Sequence, residues 1–167
     1  MTNEYGLDVV NVRLVKERSL YSDIPIENPA SAERAVAEEL SSLDREVFCV
    51  MNLNTKGKVI NLSVVSVGIL NSSMVHPREV FKSVILSNAA AVILVHNHPS
   101  GVIEPSPEDY EVTKRLMEAG DVLGINVVDH LIVGGGTGEY CSLASEGIME
   151  KIREELRYER SRDDYER

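Results

Sequence analysis

The chain has 167 residues, of which 43% are hydrophobic, and it carries a formal net charge of −10. This length suits a single domain with a substantial core, and the composition excludes a disordered chain. The acidic balance argues against a protein held to nucleic acid by neutralising phosphates, or to an anionic membrane surface by basic residues.

The sequence contains no recognisable membrane or export signal. No apolar stretch approaches the ~18 residues of a membrane-spanning helix, and the opening residues MTNEYGLDVV lack the basic and apolar segments of a secretory signal. Cys49 and Cys141 lie far apart and form no CxxC pair. They are interpreted as buried thiols rather than a disulfide framework, so a cytoplasmic location is expected.

The first part of the chain predicts a strand, a helix and a strand pair. Residues 7–16 (LDVVNVRLVK) alternate apolar and polar positions, which is typical of a half-buried strand. Asn28 followed by Pro29 is typical of a helix N-cap with proline in the first turn, and this helix is expected to end near Ser42. EVFCVMNLN and VINLSVVSVG, joined by the turn TKGK, predict two strands.

The second part continues the alternation of helices and strands. Pro77 is expected to begin a helix, and residues 89–95 (AAAVILV) predict a strand covered on both faces. A loop at 96–106 precedes a helix that starts at Pro107, with its apolar side formed by Val112, Leu116, Met117 and Leu123. INVVDHLIVG predicts a strand or strand pair, followed by a glycine-rich loop, a short strand near Cys141 and a last helix from about Ser145. The order predicts a mixed α/β domain.

The stretch LVHNHPSGVIEPSPEDYE contains a candidate metal site. His96 and His98 directly follow the apolar strand, and in extended backbone residues i and i+2 point the same way. Two imidazoles at this spacing can bind one ion, and zinc prefers nitrogen ligands of this kind. Asp109 is the candidate third ligand, because it lies in the first turn of the next helix.

Ser106 and Asp109 also have a purely structural interpretation. Ser106, Pro107, Glu108 and Asp109 resemble a capping box, in which a serine and an acid three positions later satisfy backbone donors at a helix start. A cap accounts for these residues but not for the two histidines ahead of them. The two roles are compatible, because a cap would fix the loop geometry that a metal needs.

The spacing of these residues resembles a known motif. His96-x-His98-Pro99, six residues, Ser106, two residues and Asp109 is similar to the JAMM metalloprotease motif of the JAB/MPN domain superfamily. HNHPSG, PSPED and the downstream DHLIVG resemble the RadC branch, and the resemblance covers roughly residues 30–148. It implies an α/β fold of the JAB/MPN type (cytidine deaminase-like), with a mixed β-sheet flanked by helices.

The resemblance implies both a division of the chain into a domain with two extensions and an enzymatic activity. Residues 1–29 would form an N-terminal strand and loop extension, and residues 149–167 a charged C-terminal helix or tail. The implied activity is that of a zinc hydrolase, a JAMM-type metallopeptidase that cleaves peptide or isopeptide bonds. Zn²⁺ is the implied cofactor, with His96, His98 and Asp109 as its ligands.

The resemblance also implies two catalytic residues. Ser106 corresponds to the motif serine, which helps to stabilise the oxyanion. The general base in the family is a glutamate that precedes the histidines, between the first helix and the next strand. Glu46 stands at that junction, and Glu79, in the first turn of the second helix, is the alternative. Asn97 is interpreted as the variable residue between two ligands.

Asp129 and His130, which begin DHLIVG, have two interpretations. They could lie beside the site and accept hydrogen bonds from ligand histidines, which usually need a partner for the second ring nitrogen. They could equally be a polar pair at a strand end.

Other functions remain open from the sequence. An HNH-type nuclease would need a further histidine or acid on a helix after a hairpin, and no histidine occurs between His98 and His130. A JAB/MPN module without catalytic activity would act as a scaffold. A RadC-like accessory protein in DNA repair or on a mobile element is the third possibility, although the charge makes direct nucleic-acid binding doubtful. The peptide or protein substrate and the oligomeric state are not predicted.

Overall fold

The computed structural model describes residues 7–23, 25–68 and 75–165. The elements in this part of the chain are, in order, α1 (Pro29–Ser41), β1 (Val47–Leu53), β2 (Val59–Val67), α2 (Pro77–Leu86), β3 (Ala91–His98), α3 (Pro107–Leu123), β4 (Asn126–Gly134), β5 (Tyr140–Ser142) and α4 (Ile148–Tyr165). The predicted order of helices and strands is confirmed from α1 onward.

The strands form one mixed sheet in the order β2-β1-β3-β4-β5. β1 pairs antiparallel with β2 and with β3, β3 pairs parallel with β4, and β4 pairs antiparallel with β5. Parallel neighbours need a crossover connection, which α3 supplies between β3 and β4. β3 therefore lies at the centre of the sheet, which explains its unbroken apolar run.

Helices cover both faces of this sheet. Ile93 and Val95 of β3 pack in a core with α1, whereas Val92 and Leu94 pack in a second core with α2, α3 and α4. Successive side chains of a strand alternate between faces. The even-numbered positions of β3, which end at His98, therefore face the layer of α2, α3 and α4.

Helix α1 begins as its sequence predicts. The Oδ1 atom of Asn28 accepts a hydrogen bond from the Ser31 amide at 2.9 Å, and Pro29 occupies the first turn. The helix ends at Ser41 with Ser42 as its C-cap, and it buries its apolar stripe, Ala32, Ala35, Val36, Ala37 and Leu40. α2 begins similarly, because the Nδ1 atom of His76 accepts from the Arg78 amide.

The prediction of a strand at residues 7–16 is wrong. These residues adopt no regular secondary structure, and Leu7 and Val9 are 93% and 97% exposed. Alternation supplies the side-chain pattern of a strand, but the backbone also needs a neighbouring strand for its hydrogen bonds. No strand within the described ranges pairs with this segment.

Smaller differences affect the other elements. β3 continues through both histidines, so the loop begins at Pro99 rather than at residue 96. Residues 126–134 form one strand rather than a pair. Leu123 is 46% exposed because it lies in the last turn of α3, beyond the helices and strands that bury Leu116. Cys49 is buried as expected, whereas Cys141 is only partly buried, and both thiols are free.

Asp129 holds β4 to the connection that follows β5. Its carboxylate, 7% exposed, accepts hydrogen bonds from the backbone amides of His130 and Ala144 and from the Ser142 hydroxyl. These contacts anchor the turn before α4. No helix in the described residues is long and apolar enough to cross a membrane.

We expect Asp129→Ala to lower the free energy of unfolding by about 3 kcal/mol, because the buried His130 amide, the Ala144 amide and the Ser142 hydroxyl all lose their acceptor. Ser142→Ala removes one of these bonds and the bond that its hydroxyl accepts from the exposed Ser145 amide, and it should cost less, about 1–2 kcal/mol. Urea denaturation of both variants measures the difference. Equal stabilities of the two variants would contradict the anchoring role of Asp129.

Candidate metal centre

Three side chains meet where β3 ends and α3 begins. His96 and His98 project from the same face of β3, and Asp109 lies in the first turn of α3. The two Nε2 atoms are 2.9 Å apart, and Asp109 Oδ1 lies 3.0 Å from His96 Nε2. Asp109 Oδ2 lies 3.4 Å from His98 Nε2. The sequence predicted this group, and the structure brings all three residues together as a possible metal site.

The ring of His98 is oriented by the loop that follows it. Its Nδ1 atom lies 2.7 Å from the Val102 carbonyl oxygen, which only accepts hydrogen bonds. Nδ1 of His98 therefore carries a proton, and the neutral ring presents its lone pair at Nε2. The Gly101 and Gly135 amides both donate to the His98 carbonyl, at 3.0 and 2.9 Å, and hold the loop in place.

The ring of His96 is oriented through a buried chain of hydrogen bonds. The Thr113 hydroxyl donates its one proton to the Asp109 carbonyl at 2.6 Å, so it accepts from His130 Nδ1, which is also 2.6 Å away. His130 Nε2 then has a free lone pair, and it accepts from His96 Nδ1 at 2.8 Å. His96, like His98, is left with its lone pair at Nε2.

Two imidazole lone pairs therefore face each other across 2.9 Å, with a carboxylate beside them. Two acceptors at this distance repel unless a cation or a proton lies between them. Ligand atoms around a tetrahedral zinc ion stand roughly 3.3 Å apart, given bonds of about 2.0–2.1 Å. The spacing and the donor set, two nitrogens and one oxygen, therefore fit a metal ion.

The charges of the group agree with this arrangement. Burial alone would raise the pKa of the Asp109 carboxyl, but the neighbouring rings of His96 and His98 and the Ser106 hydroxyl hold that pKa well below its ordinary value. The neighbouring Asp109 carboxylate raises the pKa of His98. Burial lowers the pKa of His130 far below that of free imidazole, which keeps this ring neutral. Asp109 is thus ionised, as a metal ligand must be.

The capping box and the candidate metal site share Asp109. The Ser106 hydroxyl accepts from the Asp109 amide at 3.1 Å, and both the amide and the hydroxyl of Ser106 donate to Asp109 Oδ2 at 2.7 Å. These bonds use one carboxylate oxygen and turn the other, Oδ1, toward His96. The cap therefore fixes the orientation of the third candidate ligand.

Glu46 lies near this group, whereas Glu79 has other partners. The carboxylate of Glu46 is close enough to His98 to help raise its pKa, and the residue is half-buried directly before β1. Glu79 is exposed and forms ion pairs with Lys82 at 2.6 Å and with Arg78 at 3.6 Å. These two cations, with Lys82 the stronger influence, lower the pKa of Glu79.

The strand register agrees with the position of Glu46. Phe48 of β1 is paired with His96, and their rings stack with centroids 6.0 Å apart. Glu46 precedes Phe48 by two residues in extended backbone, so its side chain projects from the same face as Phe48, the face that carries the histidine rings.

Two residues around the site extend what the sequence showed. His130 contacts His96 as one interpretation expected, whereas the Asp129 carboxylate accepts from the His130 amide and from Ser142 and Ala144. Thr113 was not identified from the sequence. It lies four residues after Asp109 on α3, a spacing that places both on one helix face, but its contact with His130 depends on how α3 packs on β4.

The fold and these three ligands define a class of protein, an α/β domain that can hold a metal ion at the end of its central strand. A family profile described as RadC-like JAB domain matches residues 26–148. The chain belongs to this family, and its fold is the mixed α/β fold of the JAB/MPN type.

Curated relatives support the same assignment. The chain is 52% identical over 124 residues to a UPF0758 protein of Rubrobacter xylanophilus, a match that covers 74% of this chain and 53% of that protein. It is 56% identical over 124 residues to a UPF0758 protein of Moorella thermoacetica, with the same two shares. The chain thus spans about half the length of these relatives.

We expect His98→Ala and Asp109→Ala to abolish stoichiometric metal binding, because each removes one of three converging ligand atoms. His76→Ala is the control, since His76 caps α2 and belongs to no ligand group. Metal content after dialysis, measured by plasma emission spectrometry, tests this. Full metal content in either ligand variant would refute the site.

We expect Thr113→Val to weaken metal binding by about 10–100-fold, the usual effect of removing a hydrogen-bond partner behind a ligand. Valine preserves the shape of the side chain but removes the hydrogen-bond acceptor of His130 Nδ1. The ring of His130, and through it the ring of His96, is then no longer held in one orientation. Thr113→Ser keeps the hydroxyl and should retain the affinity. Competition with a chromophoric chelator gives both values, and equal affinities would show that the buried chain does not orient His96.

Proposed function

We propose that the protein is a zinc-dependent hydrolase of the JAMM type that cleaves peptide or isopeptide bonds. One observation carries this proposal: potential ligand atoms of His96, His98 and Asp109 all lie within 4.8 Å of one another, and the carboxylate of Glu46 is near enough to His98 to help raise its pKa. Three protein ligands leave a fourth position open, which is the arrangement of catalytic rather than structural zinc sites. Two imidazoles and a carboxylate suit Zn²⁺.

When bound, zinc would make water acidic enough to yield hydroxide near neutral pH and would polarise a carbonyl oxygen. The role proposed for Glu46 is to accept the proton of the attacking water and to pass it to the leaving amine. Its position directly before β1, where its carboxylate helps to raise the pKa of His98, supports this role. The rings of Phe48 and His96 stack, and both residues are buried, so water has no access to this side of the His96 ring.

Ser106 is proposed to donate a hydrogen bond to the oxyanion that forms on the substrate. Its hydroxyl donates to Asp109 Oδ2 in this structure, so it would have to rotate toward the substrate. The Ser106 amide would still hold Asp109 Oδ2, at 2.7 Å, after that rotation. The Ser106 hydroxyl can therefore donate to the substrate while the Ser106 amide keeps Asp109 in position. One such donor contributes about 2.7–4 kcal/mol to a transition state.

The proposal leaves the substrate of the whole protein open. The chain spans only about half of its curated relatives, and their printed name, UPF0758 protein, states no activity. A net charge of −10 gives no support to direct nucleic-acid binding. Two free thiols agree with a reducing compartment, and on this ground we propose a cytoplasmic location.

We expect Glu46→Gln to retain zinc but to lose hydrolysis by about 100-fold or more, because glutamine cannot accept the proton. Glu79→Gln is the matched control, since it makes the same change at a carboxylate paired with Lys82. Digestion of a peptide library and of isopeptide-linked peptides, followed by mass spectrometry, gives the activity. If activity survived in Glu46→Gln and disappeared in Glu79→Gln, Glu79 rather than Glu46 would be the general base.

A further inference from the structure

Asn97, the residue between the two histidines, is completely buried. Side chains alternate along β3, so its amide points to the face opposite the candidate metal centre, the face that α1 covers. A buried amide on that face cannot be a ligand of the same ion. Its contacts therefore need a separate explanation.

The Asn97 side chain forms two hydrogen bonds, and both go to the segment that contains Glu46. Its Oδ1 atom accepts from the Val47 amide at 2.7 Å, and its Nδ2 atom donates to the Arg45 carbonyl at 3.0 Å. One amide group thus binds the backbone immediately before and immediately after Glu46.

These bonds begin where the regular strand pairing stops. The ladder between β1 and β3 ends at the pair Phe48 and His96. Beyond that pair, the side chain of Asn97 takes over the role of backbone groups in holding the two strands together. On the other side of the segment, the Glu46 carbonyl accepts from the Gly68 amide at 2.8 Å, which ties it to the end of β2.

We propose that Asn97 is a positioning residue that holds Glu46 at a fixed distance from the metal bound by His96 and His98. This inference rests on the proposed function, in which Glu46 is the general base. Because Asn97 is bonded covalently to both ligand residues, any shift of the ligands also shifts the clamp on residues 45–47. The base and the metal therefore keep their relative position.

The chemistry of the two bonds explains why asparagine is suited to this position. The segment presents one donor, the Val47 amide, and one acceptor, the Arg45 carbonyl, and a carboxamide matches both. Aspartate would place a carboxylate oxygen against a carbonyl oxygen. Serine is too short to reach both groups, and an apolar side chain leaves two buried polar groups unsatisfied.

The test uses the full chain loaded with Co²⁺, whose visible spectrum reports the immediate surroundings of the ion. We expect Glu46→Gln to change this spectrum at fixed pH, and Asn97→Ala to change it in the same direction with one equivalent of Co²⁺ still bound. The double variant should show no additional change. Asn97→Ser, a smaller perturbation of folding, serves as the second variant if Asn97→Ala does not fold.

Asn52→Ala is the matched control. Asn52 is also a completely buried asparagine, but it lies near the other end of β1, where it donates to Asn61 and Ser87. Loss of the Asn52 side-chain amide should destabilise the protein and leave the cobalt spectrum unchanged. This separates a positioning role from a general loss of stability.

Hydrolysis by the zinc-loaded protein provides a second readout. We expect Asn97→Ala to lower kcat by about 100-fold with little change in KM, as for a misplaced catalytic group, and to have no further effect when Glu46 is already glutamine. If Asn97→Ala showed the wild-type spectrum and the wild-type kcat while Glu46→Gln changed both, the positioning role of Asn97 would be refuted. The assignment of Glu46 as the base would stand. Unchanged spectrum and hydrolysis in Glu46→Gln would overturn the assignment of the base, and the inference with it.

Discussion

The site depends on two histidine rings that are held with their Nε2 lone pairs facing each other. At 2.9 Å this arrangement is repulsive without a cation, so the protein must fix each ring from behind. It does so with a proton on Nδ1 in both cases, donated to the Val102 carbonyl by His98 and to a neutral His130 by His96. Part of the stability of the fold is therefore used to hold the candidate ligands in an orientation that a cation or a proton between the two Nε2 atoms satisfies.

Residues at the start of α3 and on its buried face hold the candidate ligands in this orientation. The capping box that begins α3 also orients Asp109, and the hydroxyl of Thr113 connects the same helix to His130. A buried, fully paired network of this kind is rigid, because a shift of one member would leave another without a partner. The ligands come from one strand and one helix, elements that are more precise supports than loops.

The two faces of β3 carry different parts of the proposed mechanism. His96 and His98 face the layer of α2, α3 and α4, whereas Asn97 reaches the backbone on both sides of Glu46 from the opposite face. Three consecutive residues thus relate the candidate ligands to the candidate base. The register of β1 against β3 places the base-bearing segment at the same end of the sheet.

Local patterns determined most of the elements and the candidate ligand set. Proline and cap residues mark the starts of α1 and α3, an apolar run marks the central strand, and the spacing of His96, His98 and Asp109 identifies the ligands, because these signals act within a few residues. Pairing and packing decided the rest. Residues 7–16 alternate like a strand but have no partner among the described strands, and the contacts of Thr113 and Asn97 join segments that are distant in the chain. Such contacts depend on the strand register and on the packing of α3, which only the tertiary structure fixes.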